Sequence, residues 1–235
     1  MLSFVVALPG SEPTRPVAAE TVRDVAVAAI AFAARSSSGM EGAAPAVAGA
    51  RDSLVAAARA GETDWPAALL RAFLAASQRI DTMPARRYQQ GGYSPEVSLT
   101  CAVITDDRVV VAWTGGMVAC LFHDQRIVRE SAPHTMRNLL LIERKAPPER
   151  LAKLSEGALG LITRTVGPTH FPDQQPDIEI WPALEHDHKL VLAHPDTIEA
   201  LRRIVPSHLG GRSWLEVALA SCPAAHRRFG AMITP

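Results

Sequence analysis

Closely spaced apolar segments separated by turn residues constrain the fold of this chain most strongly. They are rich in β-branched residues and bounded by Asp or Gly, a pattern typical of neighbouring antiparallel strands. The segments are Val97–Ile104, Arg108–Trp113, Met117–Phe122 and Arg126–Arg129. They predict an antiparallel meander, with a hairpin turn at Gly115-Gly116, where glycine supplies a positive φ.

The segments before the meander predict one strand followed by helices. Ser3–Ala7 is a short apolar run that ends at Pro9-Gly10, as a buried strand would. Val17–Ala34 is rich in Ala with apolar residues at helical spacing, which predicts a helix. Two more helical segments follow, the second half of Ala43–Ala60 and the stretch Ala67–Ile80.

The second half of the chain predicts a mixture of strands and helices. Asp177–Trp181 alternates as a half-buried strand does, and Lys189–Ala193 is its expected hairpin partner. The other predicted elements are helices at His134–Arg150, Pro195–Ile204 and Trp214–Ser221, and strands at Leu159–Thr165 and Arg228–Ile233. No repeat or linker divides the chain, so residues 1–235 are expected to form a single α+β domain.

Composition excludes several classes of protein. The chain has 235 residues, of which 48% are hydrophobic, and it balances 24 basic against 24 acidic residues. A chain without net positive charge is poorly suited to general nucleic-acid binding. No apolar run reaches the roughly 20 residues that cross a bilayer, so no membrane association is expected. Three widely spaced Cys form neither a disulfide framework nor a zinc motif, which favours a cytoplasmic location.

Few residues carry an obvious chemistry. His186-Asp187-His188 is the most metal-like cluster, but it lies in a predicted turn without a third ligand nearby. A solvated turn and a metal site therefore both remain open. Cys101 and Cys120 lie in apolar strands, where a thiol acts as a small core residue. Short Arg pairs such as Arg202-Arg203 are typical of solvated faces, although Arg also binds phosphate.

Seven segments, in order, resemble motifs of the PPM (type two C) metal-dependent Ser/Thr protein phosphatases. The resemblance spans nearly the whole chain. Val5-Val6-Ala7 with the Ala-rich segment after it resembles the family's "VADGMGG…GE.AS", and Ala67–Ile80 resembles its second long helix. The other five segments are Ser98–Ile104 ("GTTLVAAL"), Val111–Phe122 ("VANVGDSRAYLY"), Ile162–Pro168 ("LTRALGD"), Lys189–Pro195 ("D.LLLASDG") and Arg228–Ile233 ("DNATVVVV").

The resemblance implies a four-layer α-β-β-α sandwich of two antiparallel sheets flanked by helices. It also implies two metal ions held by Asp residues at one end, and a phosphate-binding Arg on an N-terminal strand. This chain departs from that ligand set, and the N-terminal strand has no counterpart in the alignment. The positions aligned with the Asp motifs are Leu8, Pro9, Gly116, Pro168, Pro195 and Arg228. Such side chains offer no anionic oxygen to Mn²⁺ or Mg²⁺, so no metal cofactor is expected.

The sequence therefore predicts a catalytically inactive phosphatase-like protein, a pseudophosphatase that binds a partner in Ser/Thr phosphorylation signalling. The expected partner is a protein, such as a Ser/Thr kinase, a phosphoprotein or a second copy of the chain. Arg86, Arg87, Tyr88 and Tyr93 are candidate contacts, because Arg and Tyr are enriched at binding hot spots. Two alternatives stay open. One is a residual phosphatase with a rearranged site built from His186, His188, Asp173 or Asp196, and the other is an unrelated α+β domain.

Overall fold

Two five-stranded antiparallel sheets form the centre of the protein. The computed structural model describes residues 3–7, 16–34, 38–83, 95–124, 126–167, 175–204, 214–221 and 230–235. The strands are β1 (Ser3–Ala7), β2 (Val17–Val22), β3 (Val25–Ala33), β4 (Val97–Ile104), β5 (Arg108–Thr114), β6 (Val118–His123), β7 (Arg126–Glu130), β8 (Asp177–Pro182), β9 (His188–Ala193) and β10 (Gly230–Thr234). Sheet I has the order β2-β3-β4-β5-β8, and sheet II has the order β1-β10-β9-β6-β7.

Helices cover the outer face of each sheet. Sheet I packs against α1 (Ser38–Ala60) and α2 (Trp65–Asp81), and sheet II packs against α6 (Pro195–Arg203) and α7 (Trp214–Ser221). The described part of the connection between β7 and β8 contains three short helices, α3 (Met136–Asn138), α4 (Pro148–Leu151) and α5 (Glu156–Leu159), with a π-helical turn at Leu139–Glu143. The predicted four-layer α-β-β-α sandwich is confirmed.

Three buried layers correspond to the three interfaces of this sandwich. Alternate residues of one strand point to opposite faces of the sheet. In β3, Ala28 and Ile30 face sheet II, whereas Val27 and Ala29 face the helices. Between sheet II and its helices, Phe122 of β6 packs edge-on against Trp214 of α7, with ring centroids 4.8 Å apart.

None of the described helices combines the length and the apolar character that spanning a membrane requires.

The predicted helix at Val17–Ala34 is wrong. The segment forms a β-hairpin, β2 and β3, joined by a tight turn in which Arg23 has a φ of 54°. Strand β3 lies between β2 and β4 and is buried on both faces, so its apolar residues run without alternation. The high helix propensity of Ala favours a helix here, but burial of the segment between two layers outweighs local propensity and it forms a strand.

Two predicted hairpins are crossings between the sheets. The meander is wrong at Gly115-Gly116, because β5 belongs to sheet I and β6 to sheet II. The predicted pairing of Asp177–Trp181 with Lys189–Ala193 is wrong for the same reason, since β8 pairs with β5 while β9 pairs with β6 and β10. A local sequence pattern identifies each strand but does not specify the sheet it joins.

The segment between β7 and β8 also differs from its prediction. The expected helix at His134–Arg150 is broken into α3, the π-helical turn and α4. The expected strand at Leu159–Thr165 is absent, and the described residues there contribute two isolated bridges, Thr135 with Ile162 and Val97 with Val166.

Candidate functional site

Strand pairing places the predicted site positions at one end of the sandwich. Val118 at the start of β6 pairs with Ala193 at the end of β9, and Ala193 also pairs with Gly230 at the start of β10. Gly116 and Pro195 therefore lie near each other at this end, which we call the Gly116 end. The other predicted positions, Leu8, Pro9, Pro168 and Arg228, lie outside the described residues, as do the candidate contacts Arg86, Arg87, Tyr88 and Tyr93.

The prediction of Leu8 and Pro9 as site positions depends on which strand leads into the first long helix. The alignment equated β1 with the strand that leads into the first long helix. In the structure that strand is β3, because β2 and β3 lie between β1 and α1. The alignment also gave the chain no N-terminal strand before the one that leads into α1, whereas β1 and β2 both occupy that place.

Gly116 lies against the segment that precedes β8. A Cβ atom added at Gly116 would lie 2.6 Å from Cδ1 of Ile162. A carboxylate side chain at position 116 would therefore require Ile162 to move. The Gly116 N–H donates a hydrogen bond to Ser98 Oγ at 2.8 Å, which fixes the crossing from β5 to β6 against the start of β4.

A buried histidine connects this crossing to sheet I. The His134 side chain is only 6% exposed. Its Nδ1 accepts a hydrogen bond from the Gly115 N–H at 3.0 Å, so the ring proton is on Nε2. Nε2 donates to Asp177 Oδ2 at 3.1 Å. The ring also stacks on Trp113, with the centroids 6.3 Å apart.

Asp177 accepts hydrogen bonds from two side chains. Arg164 Nη2 donates to Asp177 Oδ1 at 2.7 Å. The hydrogen bond from His134, with the hydrogen bond and charge of Arg164, holds the pKa of Asp177 below its ordinary value against the opposing effect of burial. Both ring nitrogens of His134 and both oxygens of Asp177 are thus engaged. The cluster positions the Gly115-Gly116 crossing, and the lone pair of His134 Nδ1 is engaged by the Gly115 N–H.

Sequence reasoning missed this cluster. His134 and Asp177 are 43 residues apart, and Arg164 lies 13 residues before Asp177. No fixed spacing links the three types of residue. They meet only because β8 pairs with β5 in the register that places Asp177 opposite Trp113.

The opposite end of the sandwich carries a group that could hold a metal ion. His123 ends β6, Asp124 follows it, and Asp187 immediately precedes β9. One ligand atom from each of these three exposed residues lies within 4.8 Å of the others. Among the residues that the structure describes, it is the only group of three or more such ligands.

Of the residues considered for a rearranged site, the three that the structure describes do not come together. Asp196 lies in the first turn of α6 at the Gly116 end, where its backbone N–H donates to His194 Nδ1 at 3.2 Å. His186 and His188 lie at the opposite end, and His186 is not part of the metal-binding group. Asp173 lies outside the described residues.

Known structures share this architecture. The catalytic domain of the Ser/Thr phosphatase PstP, solved with two manganese ions, matches with a TM-score of 0.61 and 15% identity over 100% of this chain and 97% of that chain. PstP is from Mycobacterium tuberculosis. The fold is that of the PPM-type Ser/Thr phosphatases. The PPM phosphatase MsPP from Mycobacterium smegmatis matches with a TM-score of 0.57 and 16% identity over 99% of this chain and 96% of that chain. The phosphatase Stp1 from Staphylococcus aureus matches with a TM-score of 0.60 and 14% identity over 99% and 92%.

The likeness to PPM phosphatases concerns the fold, because fewer than one residue in five is identical. No protein-family model and no curated protein matches the chain in sequence.

The prediction that the chain has no metal cofactor is contradicted. PstP, which shares the PPM fold, binds manganese ions, and this chain has the group His123, Asp124 and Asp187 that could hold a metal. The expectation of no metal rested on the positions aligned with the Asp motifs. The sequence also marks Asp187, but it does not show that His123 and Asp124 lie beside it, because they approach only through the pairing of β6 with β9.

Proposed function

We propose that this chain is a cytoplasmic, phosphatase-like binding module in Ser/Thr phosphorylation signalling that does not hydrolyse phosphoesters. One observation carries the proposal. Among the described residues, the group that could hold a metal lies at the end of the sandwich opposite Gly116 and Pro195, the positions that the resemblance aligns with family ligands.

The chemistry of the described Gly116 end supports this proposal. Hydrolysis by a metal-activated water requires a divalent ion and oxygen ligands that converge on it. Asp177 is held by His134 and Arg164, and Gly116 is packed against Ile162. Arg164 already neutralises the Asp177 carboxylate, and its positive charge would repel a divalent ion bound there.

A second candidate function is metal-dependent hydrolysis of phosphoproteins. It is favoured by the fold and by the manganese complex of PstP. The two candidates differ in a measurable way, because a phosphatase turns over a phosphopeptide and a binding module retains it.

A steady-state assay with phosphoserine and phosphothreonine peptides tests the proposal. The full chain is assayed with Mn²⁺ and with Mg²⁺, and the catalytic domain of PstP serves as the active control. We expect no phosphate release above a blank with metal alone. Release that grows with the concentration of the chain would overturn the proposal. An Asp187→Asn variant would then show whether the turnover depends on the metal-binding group.

The partner is a separate part of the proposal. We expect a Ser/Thr kinase, a phosphoprotein or a second copy of the chain to bind. Capture of proteins from the native lysate, with and without prior phosphatase treatment, distinguishes them. Loss of the partner after treatment indicates that the phosphate is recognised. A chain that elutes as a dimer and captures no other protein indicates self-association.

A further inference from the structure

The group His123, Asp124 and Asp187 connects two separate turns of the sandwich. His123 and Asp124 belong to the turn between β6 and β7, whereas Asp187 belongs to the connection through which the chain passes from β8 in sheet I to β9 in sheet II. An ion held by all three would therefore fasten the crossing between the sheets to the β6–β7 hairpin.

The backbone holds these residues in place. His123 pairs with His188 in the β6–β9 register, so Asp187 lies one residue beyond the pair. The rings of His123 and His188 meet edge to face, with centroids 5.1 Å apart. His188 is buried, and its Nδ1 accepts a hydrogen bond from the Glu185 N–H at 3.0 Å. His188 therefore positions the His123 ring and is not counted as a ligand.

Asp124 is placed by an unusual backbone conformation. Its φ of 46° lies in the left-handed region, which Asp and Asn adopt more readily than other non-glycine residues. The conformation leaves Asp124 Oδ2 3.8 Å from His123 Nε2. Both side chains are exposed, so a solvated ion can reach them.

The ligand set selects a class of ion. Mg²⁺ and Ca²⁺ prefer oxygen ligands alone, whereas an imidazole nitrogen favours Zn²⁺ and the later first-row metals. One imidazole and two carboxylates neutralise a divalent cation and leave further coordination positions for water.

We propose that His123, Asp124 and Asp187 form a binding site for Zn²⁺ or a similar transition-metal ion that clips the crossing between the sheets to the β6–β7 hairpin. This site is independent of the proposed function, because it lies at the end of the sandwich opposite Gly116. It binds an ion that stabilises the fold, whether or not the chain hydrolyses phosphoesters.

Equilibrium dialysis of the untagged, EDTA-stripped full chain against Zn²⁺ or Mg²⁺ tests the site. We expect one Zn²⁺ per chain and a higher unfolding temperature with Zn²⁺, with much weaker binding of Mg²⁺. Loss of an outer-shell partner costs about 10- to 100-fold in metal affinity, so removing a ligand through Asp187→Asn should cost at least as much.

The neighbouring residue His186 supplies a matched control. His186→Ala removes an exposed imidazole from the same turn but leaves all three ligands, so it should bind Zn²⁺ as the wild type does. Asp187→Asn should keep the unfolding temperature of the metal-free wild type, because Asp187 is exposed. If it does not, Asp124→Asn gives the same comparison, and Asn tolerates the left-handed backbone. The proposal is overturned if the wild type binds no Zn²⁺, if both Asn variants bind it as tightly, or if Mg²⁺ binds equally well.

Discussion

His134 donates a hydrogen bond to Asp177 over 3.1 Å and so connects the segment after β7 to the first residue of β8. The other nitrogen of the same ring accepts from the backbone of Gly115. One buried imidazole thus joins sheet I to the crossing that leads into sheet II. Both ring nitrogens of His134 therefore have hydrogen-bond partners at the Gly116 end.

The lowered pKa of Asp177 predicts a loss of stability in acid. A carboxyl whose pKa is lowered by folding contributes stability above its unfolded pKa, about 3.9 for Asp, and that contribution is lost as the pH falls through the folded value. Asp177→Asn should therefore lower the unfolding temperature at pH 7 and flatten its dependence on pH in the acid range. Thermal unfolding from pH 7 to pH 2 measures both effects.

An exposed carboxylate elsewhere supplies the control for Asp177. Asp106→Asn changes the β4–β5 turn and leaves the cluster intact, so it should keep the wild-type pH profile. A profile for Asp177→Asn that is parallel to the wild type would show that the hydrogen bonds from His134 and Arg164 do not stabilise the folded protein.

Gly115 should not tolerate a side chain. Its φ is 96°, and an added Cβ atom would lie 2.3 Å from Ser98 Oγ. Gly115→Ala should destabilise the protein by about 1–3 kcal/mol through backbone strain, with the clash adding to this cost. Gly157→Ala is the control, because its Cβ atom meets nothing nearer than 4.0 Å. Urea denaturation compares the two, and equal stabilities would contradict the assigned geometry.

Substitution of the neighbouring residues Phe73 and Leu74 of α2 should affect stability to different extents. Phe73 is fully buried in the layer between α2 and sheet I, whereas Leu74 is 42% exposed. Phe73→Ala should cost about 3–5 kcal/mol, because it leaves a cavity. Leu74→Ala should cost much less. The free energies of unfolding in urea test this order, and a reversed order would mean that α2 presents a different face to sheet I.

The buried cysteines should be unreactive in the folded protein. Cys101 and Cys120 are free and buried, and burial raises the pKa of both thiols. Because the thiolate is the reactive form, neither should be alkylated by iodoacetamide at pH 8, and both should be alkylated in denaturant. Mass spectrometry of each cysteine-containing peptide measures this, and fast native labelling of Cys101 would contradict the burial of β4.

Sequence patterns predict those strands and helices that short stretches of neighbouring residues identify. Turn residues bound Val97–Ile104 and Arg108–Trp113, and the apolar residues of Ala67–Ile80 recur at helical spacing, so the sequence predicts all three elements. Strand β3 was missed because burial on both faces removes the alternation that identifies a strand. The crossings after Thr114 and Pro182 were read as hairpins because a turn signal does not specify the sheet that the next strand joins.

The sites at both ends of the sandwich depend on pairing over long distances. Asp187 was singled out by its histidine neighbours, yet His123 becomes its neighbour only through the register of β6 and β9. The same holds for His134 and Asp177, which no motif connects. The sequence alone identified the chemistry of individual residues but not which of them meet.

Whether the chain retains phosphopeptides or hydrolyses them is decided by measuring binding and hydrolysis on the same molecules. The chain is incubated with the phosphopeptides of the native host and with Mn²⁺, then captured, and the bound peptides are analysed by mass spectrometry over time. We predict that the chain enriches a set of phosphopeptides that keep their phosphate throughout. Enrichment of dephosphorylated peptides, with phosphate release that follows the concentration of the chain, would rule out a binding module and identify a phosphatase.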